Sequence, residues 1–397
     1  MNNKLYILLV AVVMITFPLF LGWVPSIGEF IPKVLVMLYV VFFATNLMHN
    51  KAFNWLLLFY LFVIIQSAAL GYGFNSKTWF ANFMDFALPI FLLQAAKKYD
   101  SDESERKLAL FSVIFIFITV VLSIIVMIND PEALRYRQAL VVGGEMEEAR
   151  QYTIRGLASY SFAAMIMCMP AVLITIVKTT SNFSIRLFAI IGIVLSLVFM
   201  WMGQVTTTLL ICICLAFISL FLRGNSSNSI FIGAAVLLIV VLIFGGPIID
   251  AVTPYTEGTA MEEKFTNFSS NIHDGRDESE EGSVQGRMEL TALTLKVFSE
   301  HPLFGDAQGY IGGHNYFIDR FALYGIIGVI PFFMMLYYLY VSAIGYLPPS
   351  KRGIYKLLFI GFIALGLLKN LSGMEYWLFM FCFYPFILKY SKRQERE

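Results

Sequence analysis

Gly312-Gly313-His314-Asn315 stands directly before an apolar stretch that begins Tyr316-Phe317-Ile318-Asp319-Arg320 and carries Gly325 and Gly328 three residues apart. The imidazole of His314, with an ordinary pKa of about 6.5, can take a proton from a hydroxyl at neutral pH. The preceding glycine pair lets the backbone bend and turn that ring toward a loop cavity. Upstream, Gly286-Arg287 opens a stretch of helical periodicity running to Ser299, with Leu290, Leu293, Val297 and Phe298 on one apolar face. An arginine at a helix start adds a planar fork to free backbone N–H groups, a combination suited to a diphosphate. A third group, Arg135, Arg137, Arg150 and Arg155, supplies further positive charge, with Arg155-Gly156 abutting an apolar run. Each has a plainer reading: a hydrogen-bonded interfacial histidine, an arginine capping the acidic patch Asp274 to Gly282, and arginines snorkelling to lipid headgroups.

The elements that must position these residues are membrane helices. Hydrophobic residues make up 58% of the chain and charged residues 14%, with a mean hydropathy of +0.74. A soluble protein of 397 residues would need more charge to cover its surface. Apolar runs near 5–25, 30–48, 53–72, 79–96, 107–128, 156–177, 185–202, 205–222, 229–248, 320–346, 354–369 and 373–390 are long enough to span a bilayer. This predicts an all-α polytopic membrane protein with about twelve transmembrane helices. With the N-terminus inside, Lys51, Lys97, Lys98, Arg106, Lys107, Lys178, Arg186, Arg223, Lys351, Arg352, Lys356 and the basic tail after Lys389 all fall on the cytoplasmic side. Both termini are then cytoplasmic and the host is the plasma membrane. Residues 1–248 hold helices one to nine, with an outward loop at 129–155. Residues 249–319 form a large outward loop between helices nine and ten, and 320–397 hold the last three helices and the tail.

Cys168, Cys212, Cys214 and Cys382 lie inside apolar runs, so neither a disulfide nor a metal site is expected. A formal net charge of +1 argues against a nucleic-acid partner. At an outer membrane face, the arginines and His314 suit a reaction whose leaving group is a lipid diphosphate. The arginines neutralise charge growing on the diphosphate while the histidine accepts the proton of an attacking sugar hydroxyl. A twelve-helix secondary transporter is the rival from another class, with Asp85 and Glu375 as its intramembrane acids. The long loops face outward here, whereas such carriers favour a long inward central loop. Asp100-Ser101-Asp102 reads as solvated charge, and Glu29 alone is weak support for a catalytic carboxylate in the first outward turn.

The segment from Arg287 to Gly328 resembles the C-terminal signature of the O-antigen ligase and polymerase superfamily, the WaaL ligases and Wzy polymerases. His314-Asn315, nine residues, then Gly325 and Gly328 matches the ligase motif in spacing, and Pro302-Leu303-Phe304-Gly305 stands where the family has such a turn. The resemblance implies a GT-C-like, metal-independent, inverting glycosyltransferase without cofactor. Its donor would be an undecaprenyl-diphosphate-linked glycan, and its partners a glycan acceptor, the lipid bilayer and a chain-length regulator. It also implies catalytic roles for His314 and Arg287 and a substrate-binding role for Asn315. Arg155 corresponds to a second family arginine, with Arg150 and Arg137 as alternatives. Polymerase, joining repeat units of O-antigen, capsule or exopolysaccharide, is favoured because family polymerases are more numerous. The alternative is an O-antigen ligase delivering the glycan to a lipid core or other acceptor.

Overall fold

The computed structural model describes residues 47–71, 76–98, 102–222, 253–256, 284–307, 315–371 and 373–390, with single residues between. The span predicted at 5–25, nearly all of that at 229–248, and 30–48 up to Asn46 lie outside the described residues, as do His314 and the acidic patch. Among the described residues every regular element is helical. They are α1 (Lys51–Ala69), α2 (Ser76–Lys98), α3 (Asp102–Asn129), α4 (Ala133–Gly143), α5 (Met146–Ile154), α6 (Tyr160–Met165), α7 (Met169–Thr179), α8 (Phe183–Met202), α9 (Thr206–Phe221), α10 (Val284–Glu300), α11 (Tyr316–Tyr346), α12 (Pro349–Leu368), α13 (Met374–Leu378) and α14 (Tyr384–Tyr390).

Among the described residues five stretches are long and apolar enough to cross a membrane: Lys51–Ala69, Ala109–Asn129, Tyr160–Thr179, Phe183–Met202 and Tyr316–Tyr346. Their surfaces are inside out. On α3, Leu110, Ile114, Ile118, Val121, Ile125 and Ile128 are exposed while Ser112, Thr119 and Ser123 are buried. Water would reverse that pattern, whereas hydrocarbon rewards it, because each hydroxyl must find a partner inside the bundle. Thr119 Oγ1 donates to Phe115 O (2.8 Å), and Ser123 Oγ donates to Gly156 O (3.3 Å) while accepting from Ala158 N (2.9 Å).

Interruptions fall where the sequence removes a donor or a Cβ. Pro170 has no N–H, and the 3-10 turn Ile166–Cys168 separates α6 from α7 just before it. A π turn, Phe379–Phe383, joins α13 to α14. The core beneath is aromatic: Trp377 stacks on Phe381 and meets Phe86 edge-on at 4.6 Å between centroids.

The alternation of helix direction read from basic residues is consistent with the contacts. Lys97 Nζ donates to Ser342 Oγ (2.8 Å), Lys351 Nζ to Thr179 Oγ1 (3.3 Å), and Lys178 Nζ to the carbonyls of Ser219, Leu220 and Leu222. All of these lie at ends predicted to share one side of the membrane. The opposite ends of the same helices gather Gln66, Ser159, Arg320, Lys369 and Glu375, together with α4, α5 and α10. The loop at 129–155 is thus two short helices rather than open chain.

Candidate functional site

The segment that drew attention in the sequence forms one packed unit. Asn315 Nδ2 donates to Thr291 Oγ1, Thr294 Oγ1 donates to Asp319 Oδ1 (3.2 Å), and Phe298 meets Phe321 edge-on at 5.8 Å. Leu290, Leu293, Val297 and Phe298 are half-buried, as expected of an apolar face laid on α11. Helix α10 starts at Val284, three residues before Arg287, so Arg287 lies in the first turn, one turn before Thr291. The chain neighbour of His314 is therefore tied to a residue one turn from Arg287. That tie gives Asn315 a positioning role in addition to any contact with substrate.

Gly325 and Gly328 do different work. Gly328 permits close packing, because a Cβ there would lie 2.2 Å from the Phe62 ring of α1. Gly325 instead breaks α11: its φ of 59° and ψ of −176° belong to a region open essentially to glycine. The break frees two carbonyls and two N–H groups, and each finds a partner. Asp306 N donates to Ala322 O (2.9 Å), Gln66 Nε2 donates to Leu323 O (2.8 Å), and the N–H groups of Ile326 and Ile327 donate to Pro302 O (2.9 Å) and Leu303 O (3.1 Å). The Pro302–Gly305 turn is thus docked backbone to backbone. A Cβ on Gly325 would lie 2.4 Å from Leu303 O, and one on Gly305 would lie 2.5 Å from Leu323 O. Gln66 Nε2 also donates to Phe304 O (2.6 Å), joining turn and broken helix through one amide. Sequence reading missed Gln66, which shows there only as a single amide in an apolar run.

Beside this junction lies a cluster of charge and tyrosine. Arg320 lies over the ring of Tyr316 at 4.2 Å, donates to Tyr324 Oη (3.2 Å), and is within 6.0 Å of the Phe332 ring. Asp85 of α2 and Glu375 of α13 stand on helices that pack together, with Phe86 against Trp377. Glu375 Oε1 accepts from Ser159 Oγ (2.9 Å), whose oxygen also caps α6 by accepting from Phe162 N (3.0 Å). Sequence reading left Arg320 unremarked, yet the signal was present: Tyr316, Arg320 and Tyr324 at successive i, i+4 positions share one helix face.

The three candidate arginines of the 129–155 loop separate. Arg155, at the end of α5, is exposed and stands 5.8 Å over the Tyr152 ring. Arg150 pairs with Glu147 at 3.3 Å on the surface. Arg137 turns inward: its Nη1 donates to Leu157 O (3.4 Å), its Nε is buried without a hydrogen-bond partner, and it feels the Glu375 charge. Burial lowers its pKa and Glu375 opposes that, but a guanidinium stays charged in proteins. Among the described residues no group of three or more His, Cys, Asp or Glu could hold a metal ion.

Fold and site together define an all-helical polytopic membrane protein with a mixed-charge, tyrosine-rich cluster at one end of its bundle. No family model matches the chain, and no curated protein is similar to it.

Proposed function

We propose that the chain is a polysaccharide polymerase that joins undecaprenyl-diphosphate-linked repeat units at the outer face of the plasma membrane. The observation that carries the reading is the Asn315–Thr291 bond, which ties the residue next to His314 in sequence to the helix bearing Arg287. The hydroxyl oxygen of the acceptor sugar attacks the anomeric carbon of the donor. The bond from that carbon to the diphosphate breaks, the undecaprenyl diphosphate leaves with the electron pair, and His314 takes the hydroxyl proton. Arg287 holds the diphosphate, and of the three loop arginines Arg137, turned to the bundle interior, supplies the second positive charge. Transfer to a lipid core instead would use the same groups and differs in the acceptor alone.

Purified protein supplied with lipid-linked repeat units tests this by chain lengthening. His314→Ala lowers the rate about 10²- to 10⁴-fold, and Arg287→Lys, which keeps charge but loses the fork, is also severely impaired. Wild-type protein that makes no glycosidic product from any lipid-linked glycan overturns the reading. A reporter fused after Asn271 behaves as exported; a cytoplasmic reporter would place Arg287 and His314 on the wrong side of the membrane.

A further inference from the structure

Asp85 and Glu375 are intramembrane acids that the polymerase scheme above does not use. On α2, Met84, Phe86, Ala87 and Leu88 are buried, yet Asp85 between them keeps partial exposure. The same is true of Glu375 beside buried Tyr376 and Trp377, and of Arg320 beside buried Asp319. These partly accessible charged groups stand at the junction where α13 packs against α2 and α6, and α11 against α2. The Nε–H donors of Arg137 and Arg320 are buried with no hydrogen-bond partner, although another nitrogen of each guanidinium is bonded. Buried donors of this kind are uncommon and call for a ligand or water to accept from them.

We propose that this junction is the subsite for the acceptor sugar, with Asp85 and Glu375 accepting hydrogen bonds from its hydroxyls and the Arg320 guanidinium donating to its oxygens. This assignment rests on the glycosyl-transfer reading above. The chemistry excludes the donor diphosphate as occupant, because two carboxylates against the single charge of Arg320 would repel it. A neutral polyol gains from both signs at once, since each hydroxyl both donates and accepts. Tyr316 and Tyr324 add apolar ring surface with a polar tip, matching a sugar's mixed faces.

The test uses the full chain in lipid nanodiscs, with lipid-linked repeat unit extracted from producing cells as donor. The free repeat-unit oligosaccharide, released from that lipid by mild acid, serves as acceptor and as binding probe, read by tryptophan and tyrosine fluorescence. Glu375→Gln and Asp85→Asn each raise the acceptor KM and the probe Kd about ten- to a hundredfold, the range for a hydrogen bond to a charged group. The donor KM stays unchanged, Glu375→Asp recovers part of the acceptor KM, and inorganic diphosphate does not displace the probe. Polymer formation with acceptor KM unchanged in both variants overturns the subsite and leaves the polymerase reading intact. A donor KM that rises in step with the acceptor KM, or displacement by diphosphate, also overturns it. Wild type that binds the probe with Glu375-dependence yet forms no polymer keeps the sugar subsite and overturns the transfer reaction.

Discussion

At one end of the bundle Lys97, Lys178 and Lys351 each reach a hydroxyl or backbone carbonyl, and Lys51 and Lys389 lie over the rings of Tyr338 and Tyr346. At the other end Arg137 and Arg320 stand among Asp85, Glu375 and tyrosines, and each keeps a buried N–H with no acceptor. The contacts named at the first end are made by lysines, used to close helix ends and hold an interface position. The second mixes signs and leaves hydrogen-bonding capacity unspent. Cations of one sign satisfied by the fold answer to topology, whereas opposed charges with spare donors inside a membrane answer to a ligand.

The strongest way to break that contrast uses two glycines of the same helix. Gly325→Ala forces a Cβ to within 2.4 Å of backbone at a φ of 59°. It costs about 3 kcal/mol or more, and little folded protein accumulates. Gly345, at the lysine end, has nothing within 4 Å of a built Cβ, so Gly345→Ala is neutral or stabilises by about 0.5–1 kcal/mol. Thermal unfolding in detergent, followed by size-exclusion, separates the two. Equal tolerance would mean that the docked turn is not a fixed part of the fold.

Next in size is a pair of cation deletions. Arg137→Ala lowers chain lengthening about 10²-fold or more, the usual cost of removing a donor that stabilises developing charge. Lys97→Ala, which removes an exposed Lys–Ser bond, leaves the rate unchanged. Similar losses for both would erase the functional difference between the ends.

How much of this was legible beforehand follows from the range of each interaction. Span positions and their alternation come from local hydropathy and flanking lysines, and each of the predicted spans that falls on described residues is helical. The α10–α11 unit was readable as a motif because its parts lie within some forty residues of one another. Gln66 was not, since its partners Phe304 and Leu323 are 238 and 257 residues away and an isolated glutamine has no periodicity. Asp85 and Glu375 were visible as intramembrane acids, but their meeting depends on α2 and α13 packing side by side. The break at Gly325 was not legible, because a Gly-x-x-Gly spacing does not reveal which glycine has a positive φ.

A smaller effect comes from Gln66→Leu, which keeps volume and removes both bonds of Nε2. Two carbonyls then lose a donor, one of them inside α11, at a cost of about 1–3 kcal/mol. Fluorescence-detected unfolding should show the loss, with expression retained. An unchanged midpoint would show that water serves those carbonyls equally well, and the junction would be wetter than its packing implies.

The smallest effects are expected at the two loop arginines that stay on the surface, and they decide which loop arginine meets the substrate. Arg150 pairs with Glu147 across one helical turn, at side-chain exposures of 36% and 75%. Such exposed pairs contribute about 0.2–1 kcal/mol, so Arg150→Ala barely moves the unfolding midpoint. Arg155 rests over Tyr152, whose hydroxyl donates to Asp130 Oδ2 (2.9 Å). An exposed cation–π contact of this kind adds about 0.5–1 kcal/mol. Neither is held inside by a bond such as Arg137 makes to Leu157 O, so Arg150→Ala and Arg155→Ala retain near wild-type chain lengthening and donor KM. A donor KM raised about tenfold by Arg155→Ala, with Arg137→Ala silent, would move the second positive charge from the bundle interior to the loop surface. The diphosphate would then lie above α5, away from the bundle interior that holds Arg137.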